Sequence, residues 1–384
     1  MSEFGLDEAH VMFQEKAKDF AQKMLTSGAK ERAKQNRYPK EIIRQMGKEG
    51  FTGSWIPEEY GGQPGDAVML GIAAEEFAKV DYFAGLYTVV FFGISVILEH
   101  CPSETQKEWL PGVASGEILP CFVITEPQCG SDATAITTRA KREGDYYILN
   151  GEKTSATCGM QADLCGIFAT VDPSKKAKGV TCFVVPMNLP GVSRTPFIDS
   201  GFLPGERASI FLDDVRIPVS YRAGEEGKGF QIALEDFDIF RVMLGLIALG
   251  MAETSLDEAF DYAKERHAWG KPILKYEGVS FRLIESLTKV EATRLLCYKA
   301  MWMHDQGLPF AKESAMSKYL GPVVAMEAIH NALLTFGHVG YSVEYPLEQR
   351  LRDCLGFEFG DGTADIMKLN ILRSVAGSQY LPYD

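Results

Sequence analysis

The sequence predicts a mainly α-helical protein with a central β domain. An N-terminal helical domain would cover residues 1–117, an antiparallel β-barrel or sandwich 118–223, and a C-terminal four-helix bundle 224–384. Three observations predict this. Apolar residues recur at helical spacing up to about residue 115. From about 118 the pattern alternates and Gly, Asn and Pro punctuate it. After 224–229 (GEEGKG) the helical period returns.

Taken in order, Phe13, Ala17, Phe20 and Met24 mark one helical face. The run Lys40 to Glu49 follows Pro39 and stops at Gly50, a proline start and a glycine end. Two further helical runs cover about 66–80 and 91–115, with Pro102-Ser103-Glu104-Thr105 as a helix start inside the second. In the middle region Tyr146 to Leu149 and Lys153 to Thr157 flank Asn150-Gly151, which predicts a hairpin turning at that dipeptide. Short apolar runs at 165–171, 180–187 and 208–217, with Pro190-Gly191 between the last two, complete the small β domain. Residues 230–265 lack proline, Leu283, Leu287, Val290 and Cys297 repeat on one face, and helices are expected at 313–336 and 363–376. Long helices with short connections predict a bundle.

The composition is that of a chain with a sizeable core: 384 residues, 46% hydrophobic and 24% charged, which excludes disordered, collagenous and disulfide-stapled classes. A net charge of −13 without a basic run argues against a nucleic-acid partner. The acidic start MSEFGLDE lacks the apolar core of a signal peptide. Val242 to Ala252, read as the longest strongly apolar stretch, is about half of what a bilayer needs, so no membrane partner is expected. The eight cysteines (101, 121, 129, 158, 165, 182, 297 and 354) form no CxxC pair and fit reduced thiols in a cytoplasmic setting. His10, His100, His267, His304 and His330 have no ligand-like companions, so no metal site is expected, and 224–229 lacks the P-loop spacing.

Chemistry begins at Ile124-Thr125-Glu126-Pro127-Gln128-Cys129-Gly130-Ser131-Asp132, a segment too polar and glycine-rich for a strand. Backbone donors and two hydroxyls in such a loop can serve a heteroaromatic ring or a phosphate; an ordinary turn after a strand is the competing reading. The segment resembles the TEPxAGSD signature of the acyl-CoA dehydrogenase family. Four more segments resemble that family in the same order: Gly151-Glu152-Lys153 with Thr157, 211–218 (FLDDVRIP), 262–270 (YAKERHAWG), and the stretch from Phe336-Gly337 through Gly340-Tyr341, Glu344-Tyr345-Pro346 and 350–353 to Asp361-Gly362-Thr363. The resemblance as a whole covers about residues 6–377, nearly the whole chain.

The resemblance implies an FAD enzyme that oxidises acyl-CoA thioesters between Cα and Cβ and passes electrons to an electron-transfer flavoprotein. A thioester carbonyl acidifies its α-proton, a carboxylate removes it, and the β-hydrogen leaves as hydride to flavin N5. Residue by residue, it implies that Ile124, Thr125 and Ser131 contact the flavin or its phosphates and Thr157 the isoalloxazine, with Thr363 also on FAD. Arg266 and Trp269 would reach the FAD of a neighbouring subunit in a homotetramer; a planar, permanently charged fork suits a pyrophosphate. Asp238 and Arg241 match positions that contact CoA and the active site, although an Asp and an Arg three apart also make an ordinary helical ion pair.

The base position departs from the family pattern. Where most members carry a glutamate, this chain has Asp361 between Gly360 and Gly362. Aspartate keeps the carboxylate but withdraws it by one methylene, roughly 1.5 Å, a displacement that can cost on the order of a hundredfold if the substrate does not move to meet it. The alternative base position of some relatives, one residue before the Arg of the α-helix, is Phe240 here. Either Asp361 is the base or the usual chemistry is lost. Ser155 stands where an aromatic is usual and should leave space beside the flavin, Leu334 and His338 replace a Gln and a Gly near the expected subunit contact, and Gly360 replaces an aromatic beside the base. Less bulk and a shorter base suggest a branched or alicyclic acyl group such as a cyclohexane-carboxyl-CoA. Three other readings stand beside the dehydrogenase: an enoyl-CoA reductase running in reverse, a nitroalkane oxidase-like flavoenzyme, and a catalytically silent flavoprotein.

Overall fold

The computed structural model describes residues 6–382. Helix α1 (Glu8–Phe20) starts with a capping box, in which Asp7 accepts from the backbone N–H of His10 and the His10 ring accepts from that of Asp7. A π-helical turn, Ala21–Leu25, follows. Its extra residue rotates the apolar face by one position, so Leu25 is buried where the plain helical period pointed to Met24, which is exposed. Then come α2 (Ala29–Arg32), α3 (Lys40–Lys48), α4 (Ala67–Ala78), α5 (Tyr82–Glu99) and α6 (Ser103–Ala114). Asp66 and Asp81 cap α4 and α5 through the N–H groups of Met69 and Phe83.

Helix α5 corrects one expectation. It is 18 residues long and apolar enough to cross a membrane by length and composition, exceeding the 242–252 stretch. It is instead the central helix of the core: Tyr82 to Leu98 are all buried, packed against α4, α6 and the neighbouring strands. A helix apolar on every side is what a position enclosed by protein requires.

Eight strands form one sheet: β1 (Pro120–Val123), β2 (Arg139–Glu143), β3 (Tyr146–Ala156), β4 (Leu164–Thr170), β5 (Val180–Pro186), β6 (Val192–Pro196), β7 (Ala208–Pro218) and β8 (Arg222–Ala223). The order is β6-β7-β3-β2-β4-β5-β8, with β1 also on β4. The sheet is mixed: β1 runs parallel to β4 from Pro120 opposite Leu164, and Arg139 of β2 pairs in parallel with Thr170. β4 and β5 are buried on both faces, which explains their unbroken apolar sequences.

The hairpin expected at Asn150-Gly151 is absent. Those residues lie inside β3, at a register shift against β7. Gly151 has φ +147 and the Asn150 side chain pairs with both the carboxylate and the N–H of Asp214, so the dipeptide forms a bulge. The chain reverses earlier, at Gly144-Asp145, where Glu143 faces Tyr146 and Gly144 takes φ +62. Asn-Gly supplies the same positive-φ freedom to a bulge as to a turn, and only the pairing of β3 with β7 distinguishes the two.

The C-terminal region contains α7 (Gly229–Glu265), the short hairpin β9 (His267–Ala268) and β10 (Lys271–Pro272), α8 (Glu277–Asp305), α9 (Ala311–Phe336), α10 (Leu347–Gly356) and α11 (Ala364–Ala376). α7 and α9 touch backbone to backbone: a Cβ on Gly321 would lie 2.7 Å from the Cα of Gly245. α8 is tied to α4 by the buried Arg294–Glu75 pair, with Tyr298 also donating to Glu75 at 2.7 Å.

Candidate active site

A cavity of about 680 Å³, within the range of small-molecule and cofactor sites, opens between the β domain, the first half of α7 and the α10–α11 segment. Its first wall is the loop after β1. Glu126 anchors this loop: its carboxylate accepts from Thr137 N (2.6 Å), Thr138 N (2.9 Å) and Lys153 Nζ (2.7 Å). Lys153, inward-facing on β3, also donates to Ile124 O at 2.9 Å, and Thr154 N donates to Thr125 O at 3.0 Å. Burial works to raise the Glu126 carboxyl, but Lys153 and the donors from 137–138 prevail and hold it down at about 2. Ile124, Thr125, Gly130 and Ser131 consequently line the cavity.

The second wall continues from β3 through Ser155 and Thr157. Ser155 takes φ +66, and its hydroxyl accepts from Arg207 Nη1 at 2.6 Å. Arg207 is clamped on its other side by Asp199, with Nε to Oδ2 at 2.8 Å. The space that a serine was expected to leave beside the flavin is therefore taken by a guanidinium.

α7 supplies Phe237 and Arg241. Arg241 is 8% exposed, and its Nη1 donates to Asp238 Oδ1 at 2.7 Å. Its buried Nε has no partner among the described residues, a donor that costs stability until something accepts from it. Asp238 does not line the cavity; it stands behind Arg241, and its backbone carbonyl accepts from Ser314 Oγ at 2.6 Å. Phe240 is 2% exposed and stacks on Phe122 at 5.2 Å, with planes 10° apart.

The last wall is the turn between α10 and α11. Asp361 has φ +53, a left-handed conformation that Asp tolerates better than most residues. Its side chain lines the cavity, and no described residue donates a hydrogen bond to it. Burial pushes its carboxyl above the usual aspartate range, with the Lys318 ammonium and the Arg241 guanidinium opposing. Thr363 lines the cavity and caps α11, accepting from Ile366 N at 3.2 Å. Arg266 and Trp269 lie elsewhere, on the exposed β9–β10 hairpin, with Trp269 89% exposed and at φ +47.

Known proteins match nearly the whole chain. Family models of the acyl-CoA dehydrogenase N-terminal, middle and C-terminal domains match residues 7–117, 121–215 and 227–376. The chain belongs to the acyl-CoA dehydrogenase family. It is 35% identical to the short-chain specific acyl-CoA dehydrogenase of Rattus norvegicus mitochondria over 376 residues, 96% of this chain and 91% of that one. It is 34% identical to a 3-(aryl)acrylate reductase of Clostridium sporogenes, over 96% of this chain and 98% of that one. The butyryl-CoA dehydrogenase structure from Megasphaera elsdenii superposes with a TM-score of 0.93 at 32% identity, over 97% of this chain and 99% of that one.

As a member of this family the chain is an oxidoreductase acting on acyl-CoA, with FAD as cofactor. The residues present fit that group: the cavity has the volume for a ring system, and hydroxyls at 125, 131, 134 and 157 line it together with the glycine-rich loop. Seven of the ten site residues expected for the acyl-CoA dehydrogenase line this one cavity: Ile124, Thr125, Ser131, Thr157, Arg241, Asp361 and Thr363. Asp238, Arg266 and Trp269 do not. The sequence reading assigned no role to Glu126, Lys153 and Arg207, which shape the walls. A lysine facing inward in the alternation of β3 was the available signal for the first pair; Arg207 carried none, because its link to Ser155 crosses 52 residues.

Proposed function

We propose that this acyl-CoA dehydrogenase removes the α-proton of its thioester with Asp361. The reading rests on one observation: a carboxylate that accepts no hydrogen bond from any described residue faces the shared cavity, desolvated yet beside two cations. Desolvation makes it a stronger base, while the Lys318 and Arg241 cations oppose that rise and favour its ionised form. Arg241, oriented from behind by Asp238, lines the same cavity as the base and adds a fixed cation beside it. Ile124, Thr125, Ser131, Thr157 and Thr363 would hold the FAD, which when bound accepts the β-hydride. Since the Asp361 pKa is raised, the acid limb of α-proton exchange should lie above the ordinary aspartate value of about 3.9. Exchange rates measured from pH 4 to 9 on the FAD-loaded protein check this, and a limb at or below pH 4 would count against the base.

The acyl group we propose is alicyclic or branched. A Cβ at Gly360 would meet one atom within 4 Å, Gly356 O at 3.3 Å, so the position next to the base is open to bulk. Anaerobic titration with linear, branched and alicyclic CoA thioesters, following the flavin band, is the test. Alicyclic thioesters should bleach the flavin at lower concentration than butyryl- or octanoyl-CoA, and the reverse order rejects the assignment. Gly360→Tyr should reduce apparent affinity for the alicyclic compounds on the order of tenfold and spare the short linear ones, since lost complementarity in an apolar pocket is worth about 1–3 kcal/mol.

The 3-(aryl)acrylate reductase among the relatives favours the reverse, enoyl-reducing direction as the second reading. Further proposals are the division into domains 1–117, 118–223 and 224–384, electron transfer to an electron-transfer flavoprotein, and a homotetramer in which Arg266 and Trp269 reach a neighbour's FAD. The exposure of Trp269, and of Phe281, Ile284 and Trp302 along α8, supports the last. Eight buried cysteines, with no disulfide among the described residues, support a cytoplasmic location.

A further inference from the structure

One buried side chain bonds to both ends of the turn that carries Asp361. Lys318 of α9 is 1% exposed, and its Nζ donates to Phe357 O and to Gly362 O, both at 2.7 Å. The first carbonyl lies where α10 ends, the second immediately after Asp361. One ammonium thus bridges both ends of the segment 358–362, which contains two glycines and a left-handed aspartate and is otherwise tied by Gly360 N to Gly356 O at 3.1 Å and Ala364 N to Glu358 O at 3.2 Å. The lysine reaches this point because α9 presses against α7 one turn later, at Gly321 and Gly245.

We propose that Lys318 is the positioning residue of the acyl-CoA dehydrogenase base. By clamping the carbonyls on either side of the turn it fixes where the Asp361 carboxylate sits, and its cation helps to keep that carboxylate ionised. The proposal rests on the reading of Asp361 as the base. A lysine serving only to satisfy the end of α10 would need the Phe357 carbonyl alone; the second bond, across the turn, is what ties it to Asp361. The charged groups facing it are Asp361 and Glu358 from the α10–α11 turn and Arg241 from α7. Burial pushes the ammonium down to about 8, with Asp361 pulling the other way, so it is largely protonated at neutral pH.

The test is α-proton exchange of an acyl-CoA in deuterium oxide, measured against pH on FAD-loaded wild type, K318M and K318R. With the cation gone, the Asp361 pKa rises, so K318M should move the acid limb to higher pH and slow exchange at neutral pH on the order of a hundredfold through misplacement of the base. K318R keeps the charge but cannot put one nitrogen between both carbonyls. It should leave the limb in place and slow exchange about tenfold. A limb in K318M at the wild-type pH, or wild-type exchange in K318R, overturns the proposal. If K318M fails to take up FAD, K318R alone decides. D361N separates the two ideas: full exchange in that variant removes the base assignment itself, whereas no exchange in D361N with wild-type behaviour in both Lys318 variants removes only the role of the lysine.

Discussion

Asp361→Asn should abolish α-proton exchange while the protein still binds FAD. A positioned general base contributes about 10²- to 10⁴-fold, and the other carboxylate among the described residues that line the cavity, Asp199, is engaged by Arg207. The position that could hold one on α7 is Phe240, buried and stacked on Phe122. Asparagine is the right replacement for two reasons. It has nearly the same shape, and it tolerates the left-handed backbone at φ +53, where alanine would add strain of about 1 kcal/mol. No described residue bonds to the carboxylate, so its loss should leave the fold intact. Flavin absorbance and exchange, measured on the same sample, check both halves; exchange within a few-fold of wild type would end the assignment.

Lys153→Met should be the most damaging single change to the cofactor compartment. The Lys153–Glu126 pair has side chains 0% and 1% exposed, and removing one partner of a buried pair costs about 3–5 kcal/mol because the other charge is left without compensation. Here the abandoned carboxylate anchors the loop that carries Thr125 and Ser131, so the variant should lose flavin on gel filtration and unfold at lower temperature. The pH dependence has a defined sign. In the wild type Glu126 is held at about 2, below its unfolded value. The pair's stabilisation is therefore fully present above about pH 4.3 and lost as pH falls towards the folded value. In K153M burial raises the same carboxyl, and its protonation relieves the penalty. The gap in stability between the two proteins should thus be widest near neutrality and narrow on acidification. Apparent Tm values at pH 4.5 and 7.5 check it, and an equal gap at both would contradict the account.

Most of the architecture was legible because it rests on local periods. Helices α3, α4, α7, α9 and α11 begin and end within a few residues of the expected positions, and α6 starts at the expected Pro102-Ser103, whereas the helical run expected from about 91 begins at Tyr82 as α5. The errors fall where local signals are degenerate. Asn150-Gly151 supplies positive-φ freedom, which a turn and a bulge use alike, and only the pairing of β3 with β7 decided for the bulge. Met24 gave way to Leu25 because a π-turn shifts a helical face without leaving a trace in the apolar period. α10 was passed over although Pro346 precedes it and Gly356 closes it.

For the site, the residue types and their order along the chain were enough to nominate Asp361, Arg241 and the 124–131 loop of this acyl-CoA dehydrogenase, since those motifs are contiguous and chemical demands on them are local. What only the tertiary structure decided is which groups face each other across distant segments. It brought Arg207 to Ser155, 52 residues away, and joined Lys318 to both ends of the Asp361 turn, 39 and 44 residues further along the chain. The physical reason is that a buried donor must find its acceptor wherever packing brings one within about 3 Å, and sequence separation carries no information about that distance.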